Sequence, residues 1–224
     1  FSRTARVLAV HGQVVPSTLA NVALLADKSP MLDAQAIRIE GESRIPSIPG
    51  RIRAVHLEPG QPPAFPEAIR AILAAEMIVI GPGSLYTSVL PNLLVPDIAH
   101  AIRSSRAFKV YVCNIATQPG ETDGYNCRQH LTAIDEHVGR GIADLMLVND
   151  RIDAERFPRV PFVRPAEEGI TTIPTYATDL IDDQRPWRHD SLKLADALIR
   201  LLEERTGPLE LSSAERAEPA IGLS

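Results

Sequence analysis

MIVIGPGSLYTSVLPNLLV, residues 77–95, joins an unbroken apolar run to a Gly81-Pro82-Gly83-Ser84 turn and then to a second apolar stretch. A four-residue run without polar alternation reads as a strand covered on both faces, the kind found inside parallel sheets. Immediately before it, Phe65 to Ala75 places Ala68, Ile69, Ile72 and Leu73 at helical spacing, so a helix feeds this strand. The same unit recurs downstream: a helix near Asp97 to Ser104, a strand at Lys109 to Asn114, a helix near Tyr125 to Val138 and a strand at Asp144 to Val148. Such alternation predicts α/β architecture, a parallel sheet with helices on both faces. With right-handed crossovers, the loops after the strands emerge at one carboxyl edge, where open α/β sheets bind ligands. Those loops begin GPGSLYTS, NIATQPGETDGY and NDRIDAER, the last two opening on the amides Asn114 and Asn149.

Outward from this centre the pattern is less regular. Arg6 to Val10 reads as a strand already in progress behind a first residue, Phe1, that is not methionine, so the chain reads as part of a longer one. Leu19, Val22, Leu24 and Leu25 fit a short strand or a helix equally well. Ala36 to Glu40 and Ile52 to Leu57 alternate with period two and predict an antiparallel or edge pair with one wet face. Val160 to Val163 is a candidate short strand. Asp190 to Glu204 predicts a helix capped by Asp190, with Leu192, Ala195, Leu198, Ile199 and Leu202 along one face. The expected organisation is a single domain over 1–205 and a disordered polar tail over 206–224.

Composition narrows the function classes. The 224 residues are 45% apolar and carry a net charge of −5, which favours no phosphate backbone, so nucleic acid is not expected as a partner. No run approaches the roughly 18–20 apolar residues of a membrane span, and no signal-peptide cleavage pattern is present, so the expectation is a cytoplasmic protein. Two cysteines, Cys113 and Cys127, read as reduced thiols. Together with His130 and His189 they offer zinc-ligand types without zinc-ligand spacing. Ser84 with His130 or His189 and Asp150 offers hydrolase types without a G-x-S-x-G elbow.

Three stretches carry candidate chemistry. Gly81-Pro82-Gly83-Ser84 could cradle an anion on backbone N–H groups, with the Ser84, Thr87 and Ser88 hydroxyls adding donors, or could be a tight strand-to-helix turn. Glu121 and Asp123 could hold a Mg²⁺ ion on a diphosphate, while Thr122 or Asp123 could instead cap the next helix. Arg188, ahead of the last helix, is either a solvated helix start or a cation aimed at a phosphate. Neither the dinucleotide fingerprint nor the P-loop is present.

GPGSLYTSVLPNLLV, then YVCNIATQPGETDGY and RHDSLKLADALI, resemble the gluconeogenesis factor (YvcK-like) family, which belongs to the superfamily of CofD-like 2-phospho-L-lactate transferases. The resemblance runs from about Val7 to Leu202. It implies a three-layer α/β/α sandwich with a Rossmann-like, mostly parallel sheet, in a cytoplasmic, CofD-like protein without catalytic residues that binds a UDP-sugar such as UDP-N-acetylglucosamine and links gluconeogenic carbon metabolism to cell-wall synthesis and cell shape. The family's arginine associated with UDP-sugar binding falls on Arg188; with it the expected ligand residues are Gly81, Gly83, Ser84, Tyr86, Thr87 and Asn114, with Mg²⁺ at Glu121 and Asp123. Ser191 falls on a hydroxyl that is phosphorylated in some members. The implied partners are the nucleotide-sugar, cell-wall or regulatory proteins, and a second copy in a homo-oligomer. The alternative is a transferase moving a phospho-organic acid from a nucleotide diphosphate donor to a hydroxyl acceptor; a third class is a scaffold without ligand. The family's opening GGGTG-type loop and acidic stretch are missing, so an N-terminally truncated chain is expected.

Overall fold

The computed structural model describes residues 12–29, 35–166 and 171–207. The strand expected at Arg6–Val10 and residues 208–224 of the expected tail lie outside them. Two sheets organise the rest: a three-stranded antiparallel sheet of β1 (Ala23–Ser29), β2 (Ile37–Glu40) and β3 (Arg51–Glu58), and a four-stranded sheet of β4 (Met77–Ile80), β5 (Phe108–Val112), β6 (Leu145–Asn149) and β7 (Thr175–Thr178). The second is parallel throughout, in the order β4-β5-β6-β7. α1 (Pro66–Ala74) leads into β4, α2 (Leu90–Leu93), α3 (Pro96–Ser104) and α4 (Cys127–Val138) run between successive strands, and α5 (Ser191–Thr206) closes the described chain. The parallel sheet is the one that the alternation predicts, and the whole is the Rossmann-like α/β fold that the resemblance implies.

Local chemistry sets the helix boundaries. Prolines open α1 and α3, where the missing N–H is no loss and the fixed φ suits the first turn. Asn126 and Gln129 form a reciprocal capping box on α4. Thus neither Thr122 nor Asp123 caps that helix: Thr122 Oγ1 accepts from Gln118 N at 2.9 Å, and Asp123 Oδ2 from Gly120 N at 2.7 Å, because both hold the preceding loop. Asp190 caps α5 as expected, its Oδ1 accepting from Leu192 N and Lys193 N.

β5 shows the three layers most directly. Phe108, Val110 and Val112 face Leu180, Ile181 and the Ala197 and Leu201 side chains of α5, while Tyr111 and Cys113 face the larger core with Ile98, Leu131 and Ile134. β4 departs from the expected double burial. It is the sheet's edge strand among the described residues, and Val79 is 40% exposed because the α5 layer covers β5 and β6. Of the ambiguous segment, Leu24 and Leu25 enter β1, which sits between the two alternating stretches, so β2 and β3 pair with β1 and not with each other. Only an isolated Ala116–Phe162 bridge forms where a strand over Val160–Val163 was expected. β7, short and half-polar, is not evident from the sequence pattern.

The small sheet is fastened to the large one by a buried lysine. Lys28, fully enclosed on the inward face of β1, donates from Nζ to the carbonyls of Ile45, Ile48 and Gly120, the first at 2.8 Å and the last at 2.7 Å. Burial pulls its pKa down, opposed by the charges of Asp123 and Glu121. Gly120 has φ +78°, and a Cβ there would lie 2.0 Å from the Pro46 carbonyl oxygen. Gly120→Ala is therefore expected to destabilise the protein by about 2 kcal/mol or more. Thermal unfolding should show a Tm at least about 4 °C below wild type.

Candidate functional site

A cleft of about 750 Å³ opens at the carboxyl edge of the parallel sheet. Its floor is the loop leaving β5, residues 114–119; one end is Pro82, Gly83 and Ser84 from the loop leaving β4. The segment before α5 supplies Trp187, Arg188 and His189, and α5 itself adds Ser191 and Leu194. The last wall is residues 159–161 of the long connection between β6 and β7. That connection is brought back over the edge by Thr117 N donating to Pro161 O (2.9 Å) and Val163 N to Ile115 O (2.8 Å).

The GPGS turn is held by side-chain amides. Gly81 has φ +81°, and a Cβ there would stand 3.1 Å from Val112 O, so this exit from β4 requires glycine. Asn114 continues the β4–β5 ladder beyond the strands: Gly83 N donates to its Oδ1 at 3.3 Å, and its Nδ2 donates to Gly83 O at 2.9 Å. Gln118 Nε2 donates to Ser84 Oγ at 2.7 Å. The Gly83 N–H is thus already occupied by Asn114 and is not open to an anion. Asn149 repeats the device after β6, accepting from Leu180 N at 3.0 Å.

Of the residues named from sequence, Gly83, Ser84, Asn114, Arg188 and Ser191 line this cleft. Gly81 shapes the turn without lining it. Tyr86 is buried, its hydroxyl 2.9 Å from that of Tyr125, and burial drives its phenol pKa well up. Thr87 lines an adjoining concavity of about 540 Å³ that shares Ser84, Gln118 and Pro119 with the cleft and also holds Glu42, Ser43 and Glu121. There Thr87 Oγ1 donates to Glu121 Oε1 at 2.9 Å, and Tyr86 N to Oε2 at 3.3 Å. Burial raises the Glu121 pKa; these two bonds act against it. Glu121 and Asp123 come together with Arg51 in a third concavity, and neither lines the main cleft. Two carboxylates next to an arginine, one of them already accepting two bonds, are a poor fit to a Mg²⁺ ion on a diphosphate in that cleft.

Among the described residues no group of three or more His, Cys, Asp or Glu is placed to hold a metal ion. Cys113 and Cys127 are free and buried, and Cys127 Sγ accepts from Ala166 N. His130 is fully buried, with Nδ1 against Asn126 O. No helix among the described residues is long and apolar enough to cross a membrane.

Electrostatically the cleft is one-sided. Its described lining contains Arg159 and Arg188 and no carboxylate. His189 adds no charge at neutral pH, because burial pulls its pKa down to about 4 despite its Nε2 contact with Cys113 O at 3.2 Å. Sequence reasoning missed Arg159, which lies in a proline-rich stretch without periodicity; only its tertiary position identifies it.

Fold and cleft together define a Rossmann-like α/β protein with a cationic pocket at the carboxyl ends of its strands. The family described as 2-phospho-L-lactate transferase CofD matches residues 1–204, and the chain belongs to it. Its relatives are gluconeogenesis factors: the gluconeogenesis factor of Bacillus subtilis (strain 168) is 40% identical over 208 residues, covering 89% of this chain and 64% of that protein. A relative from Nostoc sp. (strain PCC 7120) is 52% identical over 208 residues, covering 88% of this chain and 44% of its own length. The crystal structure of a UPF0052 family member from Bacillus halodurans superposes with a TM-score of 0.77 at 38% identity, over 88% of this chain and 64% of that one. The chain thus spans about half to two thirds of the length of these relatives.

The His189 shift has a measurable consequence. Unfolded, His189 takes its proton near pH 6.5; folded, near pH 4. Between these values the unfolded state binds more protons, so the contribution is intact above pH 6.5 and is lost as pH falls toward 4. His189→Gln should flatten the fall in unfolding free energy across this window by about 2 kcal/mol. Chemical denaturation at stepped pH checks it.

Proposed function

We propose that this protein is a nucleotide-sugar-binding regulator, taking a UDP-sugar of the UDP-N-acetylglucosamine type in the cleft at the carboxyl edge. The observation that carries the reading is Arg188: exposed, without a side-chain ion pair or hydrogen bond among the described residues, at the mouth of a 16-residue helix and in a lining free of carboxylates. A cation beside a helix N-terminus is suited to phosphoryl oxygens. The Ser84 hydroxyl and the Asn114–Gln118 amides offer neutral hydrogen bonding next to it, and the half-exposed Trp187 offers a ring face for a base or sugar.

In this reading the ligand's diphosphate is met by arginine, and any Mg²⁺ comes with the ligand instead of resting on Glu121 and Asp123. The reading favours binding without turnover, since the described lining is built of cations, amides and hydroxyls suited to holding a ligand. Regulation of carbon metabolism, cell-wall synthesis and cell shape would then pass through contacts that depend on occupancy of the cleft, in the cytoplasm, as part of a longer or assembled protein. Ser191, exposed at the first position of α5, lies where a phosphate would pair with Arg188 and compete with the ligand.

Calorimetric titration of UDP-N-acetylglucosamine, with and without Mg²⁺, tests the reading. Binding that Arg188→Ala weakens about tenfold or more is expected, since a charge-assisted hydrogen bond is worth about 1.5–3 kcal/mol. A ligand selective for the folded state should also raise Tm. No heat and no change in Tm would reject the UDP-sugar and favour a scaffold. Release of a nucleoside monophosphate in the presence of a hydroxyl acceptor would favour the transferase.

A further inference from the structure

The cleft has a second unclaimed cation. We propose that Arg159 is a specificity-determining residue that works with Arg188, each engaging one phosphoryl group, so that the cleft selects diphosphate-bearing ligands over monophosphates. This rests on the nucleotide-sugar reading above.

The case begins with how the basic residues around the cleft are satisfied. Arg151 is within 3.6 Å of Asp153, Asp179 and Asp183; Arg156 reaches Asp183 at 3.0 Å; Arg185 reaches Asp182 at 3.1 Å; and Lys193 reaches Asp179 at 2.8 Å. Four aspartates are thereby turned toward other cations. Arg159, only three residues from Arg156, receives none of them: its exposed side chain has no ion pair or hydrogen bond among the described residues, and it lines the cleft with Arg188.

The backbone on either side of it is nevertheless held. Val160 N donates to Phe157 O at 3.1 Å, Phe157 N to Asp153 O at 2.9 Å and Phe162 N to Val160 O at 2.9 Å, while Pro161 O holds Thr117 N. Arg156 lies over the Phe157 ring at 4.9 Å. A free guanidinium on a pinned backbone is a receptor with little main-chain ordering left to do on binding. The two arginines also come from separate segments. Arg188 is anchored through its neighbour His189 against Cys113, and Arg159 through Pro161 against Thr117, so they approach the Asn114–Pro119 floor independently. Two linked phosphates offer one oxygen pair to each fork-shaped donor while spanning guanidinium groups that come from separate walls of the cleft.

The experiment compares wild type, Arg159→Gln, Arg159→Lys and Arg188→Ala for UDP-N-acetylglucosamine, UDP, UMP and inorganic diphosphate by calorimetry, with melting curves for each variant. Arg106→Gln is the charge-matched control: Arg106 is exposed and lies just before β5, at the opposite end of the sheet from the cleft. The expected result is a loss of about tenfold or more for UDP and UDP-N-acetylglucosamine in Arg159→Gln, under about threefold for UMP, partial recovery in Arg159→Lys, and no effect of Arg106→Gln. Unchanged UDP binding in Arg159→Gln, alongside loss in Arg188→Ala, would overturn the inference and leave the nucleotide-sugar reading standing. If wild type binds neither uridine nucleotide, that reading fails, and inorganic diphosphate decides this one: binding weakened by Arg159→Gln retains the two-arginine receptor, whereas absent or insensitive binding removes it.

Discussion

The Asn114 carboxamide is the constraint around which the carboxyl edge is built. Parallel strands β4 and β5 stop at Ile80 and Val112, yet the chain must hold a glycine-proline-glycine turn beside a loop that has no ladder of its own. A side chain carrying one donor and one acceptor completes both bonds to Gly83, imitating one more rung of the sheet. At about 1 kcal/mol for each such bond the gain is modest. The geometric effect is larger: Gln118 can then reach Ser84, the loop from 114 to 119 becomes the cleft floor, and its far end at Gly120 offers the carbonyl that Lys28 takes. One amide therefore links the pocket to the small antiparallel sheet. Serine or alanine there would leave Gly83 N–H and C=O to water at the cleft's own lip.

The parts legible in the sequence were those written in local periodicity. MIVI, Lys109–Asn114 and Asp144–Val148 announced themselves as parallel strands through apolar runs, and intervening 3.6-residue spacing announced the helices. Asp190 was legible as a cap because its type and its place before an amphipathic run suffice. Once the strands were known to be parallel, the carboxyl edge followed from topology, and Ser84, Asn114 and Arg188 met in one cleft.

What stayed hidden depends on tertiary partners. The two alternating stretches looked like each other's neighbours, but the strand between them in space precedes both in sequence, and its buried lysine argues against a core strand by composition. Val79 looked like interior because burial on one face and exposure at a sheet edge cannot be told apart in a four-residue apolar run. Tyr86 lies two residues beyond Ser84, yet the π-helical turn over Leu85–Val89 carries it into the core, where its hydroxyl meets that of Tyr125. Glu121 follows the same logic: a carboxylate in a ligand-like loop turns inward to hold the Thr87 hydroxyl and the Tyr86 N–H.

Charge gives the last step. A chain with net charge −5 is an unpromising anion receptor when read as a sum, and summed charge does govern long-range encounter. Within a Debye length of about 8 Å the local arrangement decides instead. Between residues 151 and 193 the aspartates at 153, 179, 182 and 183 are committed to Arg151, Arg156, Arg185 and Lys193, and Asp190 is committed to backbone N–H groups. His189 is kept neutral by burial. The two arginines of the cleft lining, Arg159 and Arg188, therefore set the sign of the pocket, and they do so because the neighbouring aspartates have closer partners, an allocation that composition cannot express and the folded chain makes explicit.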